Sequence, residues 1–386
     1  MRLSLFRSRQ FQVILTLFFF LLATPFAAHA HVKWFSDFSF TDPPTPLSDA
    51  ITPTFIALTV LSMAALGALV LVDARLKQAG WYQRVIQWFE SRREFASLAL
   101  RIGMGMTLML AWQADTLLTP DLALPAEWIG WLQFLLALLL IFRLTTPIAG
   151  IGVIGLYLIG IGQYGAFYML DYFVFVGVGV YLIVVYLKDE RIRALRIPAL
   201  YFSVGFSLLW LGLEKIIYPQ WSLYILEQNP QLTLGFEMEF FLIGAAFVEL
   251  VLGYLLLIGL LERPIALLIT FVFFLTTLVF GKVEVIGHTI LHAALIVFLL
   301  EGPGRFYPAP INIHRRLPLR VAFASVNFLL VLIILILPYA AVAQRQFELA
   351  IAEQGEQTTE ETAYGDLRSS SHKTTDEFVS LSPGRG

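Results

Sequence analysis

Residues 236–261 read FEMEFFLIGAAFVELVLGYLLLIGLL, and between Phe240 and Leu261 the only charge is Glu249. About 20 apolar residues rising roughly 1.5 Å each cross a hydrocarbon core of about 30 Å, so this stretch reads as a transmembrane helix. Similar runs extend to either side, and the predicted spans are 54–72, 96–118, 128–146, 147–166, 168–187, 197–218, 236–261, 264–282, 285–300 and 321–342. The chain of 386 residues is 58% hydrophobic and 14% charged, against roughly 45–50% and about 25% in soluble domains. The expected fold is therefore all-α, a polytopic helical membrane protein of about ten transmembrane helices. With no cysteine, the sequence excludes disulfides, thiolate metal sites and a cysteine nucleophile. A net charge of -2 gives no footprint for nucleic acid.

Residues 1–30 carry Arg2, Arg7 and Arg9, an apolar run from Phe11 to Leu22 and the triplet Ala28, His29, Ala30. This is the layout of a secretory signal peptide, with cleavage expected after Ala30. Residues 31–53 follow as an extracytoplasmic lead-in, too irregular to span, whose Trp34, Phe35, Phe38 and Phe40 are expected to lie against the bundle. Of 26 lysines and arginines, 15 fall in alternate loops, around Arg75 to Arg93, at Arg143, around Lys188 to Arg196, at Arg263 and around Arg305 to Arg320. The short loops opposite hold only Lys215 and Lys282. The positive-inside rule assigns the basic set to the cytoplasm of a bacterial inner membrane, leaving the mature amino terminus and residues 344–386, read as a disordered tail, outside.

The middle of the chain reads as two parallel four-helix units, 96–187 and 197–302, joined by a basic linker at 188–196. Residues 54–95 supply a preceding helix and basic loop, and 303–320 and 321–343 a following loop and last helix. Residues 101–108 (RIGMGMTL) align with 201–208 (YFSVGFSL), and Pro147 and Pro264 each stand 24 residues before a polar group, Asp171 and His288. The glycines of the first unit, among them Gly103, Gly150, Gly155 and Gly179, are expected to let helices approach closely.

The second unit resembles the DoxX-like membrane proteins. The residues that carry the likeness are Gly205, Gly212, Glu214, Lys215, Tyr218 and Pro219, then Glu249, Gly253, Gly259, Arg263 and Pro264. Relatives of that family include a small quinone-linked subunit of thiosulfate oxidation and a membrane component of methylamine-dehydrogenase maturation. The likeness covers 197–301 well and 96–187 as a degenerate copy, in which Gln113, Ala114 and Asp115 replace Leu213, Glu214 and Lys215, and Gln133 falls near Glu249.

A charge within a membrane span costs at least about 2.5–3.5 kcal/mol, so each requires a partner or a purpose. The polar cluster expected at the extracytoplasmic end comprises Glu214, Lys215, Glu239, Glu249, Glu284, His288 and His292. Glu249, deep in its helix, calls for Lys215, Arg101 or a histidine. His288 and His292 share a helix face, a spacing that suits two ligands of one metal ion rather than two axial ligands of one haem. They could equally fasten helices through Glu284, Glu239 or a carbonyl.

Three functions stand open. The resemblance implies a redox-associated, quinone-linked or accessory subunit, with a partner oxidoreductase or a second copy, working in the bilayer. The residues themselves admit copper or zinc held by His31, His288 and His292, since nitrogen donors without thiolates suit those ions. The tandem unit and Glu249 admit a small-solute or proton-coupled transporter, although no inverted repeat accompanies them. N-terminal sequencing of the membrane-purified protein is expected to begin at His31; a retained Met1 would remove the amine-plus-imidazole metal reading.

Overall fold

A computed structural model describes residues 32–36, 38–303, 310–312, 314 and 316–379, with side chains as far as 355. The signal-peptide reading and His31 lie outside the described residues. Among those described, the regular structure is helical: α1 (Pro53–Leu76), α2 (Gly80–Glu90), α3 (Ala96–Gln113), α4 (Glu127–Leu139), α5 (Thr146–Tyr164), α6 (Val174–Val184), α7 (Arg196–Ile217), α8 (Pro219–Gln228), α9 (Met238–Ile258), α10 (Glu262–Phe280), α11 (Lys282–Glu301) and α12 (Leu317–Val379). Large apolar side chains such as Ile151, Leu158, Phe271, Leu278 and Ile334 remain exposed on these helices. Only a lipid environment makes such a surface tolerable. The chain is thus an all-α polytopic membrane protein.

Eight of the described helices are long and apolar enough to cross a bilayer, or nine if a bent pair forms one span, rather than ten. The predicted span at 128–146 shortens to the 13 residues of α4. Its carbonyls are claimed early: Arg101 donates from Nε to Leu140 O at 2.7 Å and from its guanidinium to Ile141 O. The Thr146 hydroxyl then donates to Phe142 O at 2.9 Å, which turns the chain back into α5. The predicted span at 168–187 is broken, with the segment Ala166–Tyr172 meeting α6 at 63°. The amide freed at the break, Val174 N–H, donates to Ser207 Oγ on α7 at 3.2 Å, so the interruption leaves no orphaned donor there.

The residues from 344 onward, expected to be disordered, continue α12 as helix through Val379. Its first part, residues 344–354 (QRQFELAIAEQ), consists largely of Gln, Arg, Glu, Leu and Ala, all good helix formers, and an established helix propagates more easily than it nucleates. The amphipathic α2 exposes Trp81, Val85 and Trp88, the pattern of a helix lying in a membrane interface.

α7 is the centre, with 16 of its 22 residues buried. Small residues set its spacing from its neighbours. A Cβ on Gly205 would stand 2.8 Å from Gly253 O of α9, and one on Gly177 of α6 would run into the Ser203 side chain. α3 meets α11 where Gly103 faces Ala293. α3, the first helix of the first expected unit, packs on α11, the last of the second, and α7 likewise packs on α6. Gly155, expected at a helix contact, faces open space.

Gly205→Leu should therefore cost stability, about 1–3 kcal/mol on the usual scale of overpacking, whereas Gly155→Ala should cost nothing. Thermal unfolding of the purified variants in detergent checks both; equal midpoints would contradict the close α7–α9 approach.

Candidate functional site

The polar residues of one bundle end converge, and the residue that organises them comes from the lead-in. Lys33, in the single helical turn Val32–Trp34, is buried with its ammonium between two carboxylates. It pairs with Asp171 and stands 2.8 Å from Glu214 Oε2, and both acids are about 1% exposed. Burial alone would lower the Lys33 pKa, but Asp171 and Glu214 outweigh it and hold it above the ordinary lysine range. The lead-in is seated by packing. Trp34 lies over Gly287, where a Cβ would collide with the indole, and its ring is 5.0 Å from that of His288. Phe35 packs on Phe280 and Phe38 on Trp221. Trp34 Nε1 donates to Tyr172 OH at 3.2 Å, and Tyr172 donates to Asp121 at 2.6 Å.

Glu214 and Lys215 are adjacent in sequence, yet consecutive helix residues point about 100° apart. Glu214 accordingly faces Lys33, while Lys215 turns to α9 and donates to Glu249 Oε2 at 2.8 Å. Lys215 does not reach outward as an interfacial lysine would; it is 2% exposed. On α11, His288 Nδ1 pairs with Glu284, one turn earlier, and Thr276 Oγ1 donates to the same carboxylate at 3.1 Å. The His288 ring stacks on Phe273 at 4.1 Å between centroids.

A cavity of about 40 Å³ joins these pairs. Asp171, Lys215, Glu249 and His288 line it together with Trp34 and Tyr172. The buried cluster as a whole, of which Asp171, Lys215, Glu249 and His288 reach the cavity, holds four carboxylates, Asp171, Glu214, Glu249 and Glu284, against Lys33, Lys215 and His288. Asp171 Oδ1, Glu214 Oε1 and Glu284 Oε1 accept no hydrogen bond, although all are buried. The arrangement can hold protons and a small polar occupant.

Of the residues expected in this cluster, Glu214, Lys215, Glu249, Glu284 and His288 come together. Glu239 is exposed at the start of α9, where Glu237 caps the helix by accepting from Glu239 N and Phe240 N. His292 packs against Phe274, centroids 4.9 Å apart, and edge-on against Phe273. Among the described residues, no three His, Asp or Glu side chains are placed to hold a metal ion. Arg101, one of three partners considered for Glu249, serves the end of α4 instead. Asp115 is exposed, whereas Gln133 is buried and staples the α3–α4 loop by accepting from Leu118 N and donating to Thr116 O. Lys33 and Asp171 were not in the expected cluster. The signal for Lys33 was a lone lysine in the aromatic run HVKWF, whose register against the helices the sequence does not supply.

Removing one partner of a buried pair strands the other charge, at about 3–5 kcal/mol. Lys215→Met alone should therefore destabilise strongly, and Lys215→Met with Glu249→Gln should recover much of the loss. A double-mutant thermal-unfolding cycle measures this; additive losses would mean that the two side chains do not interact.

Residues 202–282, which contain Glu214, Lys215 and Glu249, match the DoxX family model. No curated protein and no solved structure matches the chain. Three of the cluster's charges thus lie within the matched segment, on apolar helices long enough to cross a bilayer, and the chain is a polytopic membrane protein whose segment 202–282 is DoxX-like.

Proposed function

We propose that this DoxX-like protein is an accessory subunit for a redox partner, exchanging protons through its buried cluster at the extracytoplasmic end of the bundle. The observation that carries the reading is the excess of acids over bases in one buried cluster, Asp171, Glu214, Glu249 and Glu284 against Lys33, Lys215 and His288. Each uncompensated buried ion costs several kcal/mol, so the surplus is balanced by protons taken from the medium. Oxidation and reduction of quinones also move protons, and a cluster that takes them up and gives them back at the membrane face suits such a partner. The assignment of this end to the outside rests on the basic loops at the other end.

A quinone ring does not fit the cavity itself. About 40 Å³ accommodates a few water molecules, whereas even benzene occupies cavities of about 150 Å³. The quinone is accordingly placed on the partner, and this chain's residues handle protons alone. Lys215 holds Glu249 in place, His288 pairs with Glu284, and Trp34 closes the cavity from the lead-in side.

Membranes from cells lacking the protein should show slower quinone-linked turnover, restored by the wild type and only in part by Glu249→Gln expressed at the same level. Turnover that is unchanged by deletion would sink the redox reading, and full restoration by Glu249→Gln would remove the cluster from it.

A further inference from the structure

The surroundings of the Lys33 ammonium are those of a receptor for amines. Two carboxylates face it, Asp171 and Glu214, the latter at 2.8 Å. The ring of Tyr168 lies 4.3 Å away, and those of Trp221 and Phe38 lie 5.7 Å away. Carboxylates supply charge-assisted acceptors and aromatic faces supply a negative quadrupole, which together recognise organic ammonium ions.

The receptor and its occupant belong to different parts of the fold. Tyr168 and Asp171 stand on the bent segment before α6, Glu214 on α7 and Trp221 on α8. All four are buried in the folded chain. The occupant arrives on a three-residue turn held by side-chain packing and by a few bonds further along, such as Trp221 Nε1 to Asp42 at 2.8 Å. One lysine does not exhaust the site. Asp171 Oδ1 and Glu214 Oε1 remain without hydrogen-bond partners, and two acids face a single ammonium.

We propose that Asp171, Glu214, Tyr168 and Trp221 form a binding site for a small primary alkylammonium ion, which Lys33 fills from within the chain as a tethered ligand. Three N–H donors and a slim alkyl stem define the class: a primary amine reaches both carboxylates, and a quaternary ammonium cannot donate to either. Asp171 also lines the cavity shared by Lys215, Glu249 and His288, so an amine that takes the place of an absent Lys33 stands next to that cavity. The site goes beyond the proton-exchange reading and does not depend on it.

Chemical rescue tests the assignment. Full-length Lys33→Ala protein in lipid nanodiscs should unfold at a lower temperature than wild type. n-Propylammonium chloride should return about half or more of the lost midpoint with saturable dependence, by preferential binding to the folded state. Propanol, tetramethylammonium and sodium chloride at matched concentrations should not, and wild type should not respond. Asp171→Asn in the Lys33→Ala background should abolish the rescue. If Lys33→Ala does not fold alone, expression and purification with propylammonium present should yield folded protein. Two outcomes would overturn the proposal: a folded Lys33→Ala protein that shows no saturable response beyond the salt control, or a variant that stays unfolded with the amine present.

Discussion

The chain buries ions that a low-dielectric bundle cannot leave alone. An unpaired buried charge costs several kcal/mol, and this requirement dictates which elements touch. At the acidic end, Lys33 ties the lead-in to Asp171 and to Glu214 on α7, Lys215 ties α7 to α9 through Glu249, and Glu284 pairs with His288 within α11. At the opposite end, Arg196 of α7 meets Glu301 of α11 at 2.6 Å, and Asp73 of α1 faces both Lys77 and Arg320 of α12. α7 therefore carries an interhelical ion pair at each end. Shifting it by one residue would turn Lys215 away from Glu249 by about 100° and break the pair.

Close packing makes those pairs possible. The approach of α7 to α9 at Gly205 and Gly253, and again where Gly212 faces Ala246 and Leu250, holds the two backbones near enough for Lys215 to reach Glu249 without leaving the interior. A larger residue at either glycine would push the helices apart by several tenths of an ångström or more. Charge pairing and small-residue packing are thus one constraint seen at two places on the same helix pair.

Which features could be read in the sequence follows from their range. The apolar runs and the need for a partner at Glu249 depend on local hydropathy and depth, so the helices were within reach, as was Lys215 as one of three candidate partners, though not the choice among them. The shortening of α4 was not, because it depends on Arg101 reaching two carbonyls some 40 residues away, and hydropathy alone carried the predicted span through to 146. The break before α6 was hidden for a similar reason, since its freed amide is satisfied by Ser207 on another helix. Lys33 was the hardest. Its partner Asp171 lies 138 residues on, and in an irregular segment no periodicity announces which side chain turns inward. Glu239 shows the opposite error: near in sequence to the cluster, it sits at a helix start where its charge meets water and the helix dipole.

The boundary of the family match divides the site in a telling way. The matched segment, 202–282, supplies Glu214, Lys215, Glu249 and the ring of Trp221. Lys33, Asp171, Glu284 and His288 all come from outside it, from the lead-in, the bent segment before α6 and α11. Of the site's charges, the matched helices alone hold one compensated pair, Lys215 with Glu249, and one acid without a counter-charge among them, Glu214. The chain answers that acid with Lys33, then sets a second acid, Asp171, against the same lysine, restoring the negative excess that a single counter-charge would have removed. A fold that required only neutralisation would have stopped at Lys33 and Glu214; the added carboxylate makes the cluster able to take up more positive charge, whether as protons or as an ammonium ion.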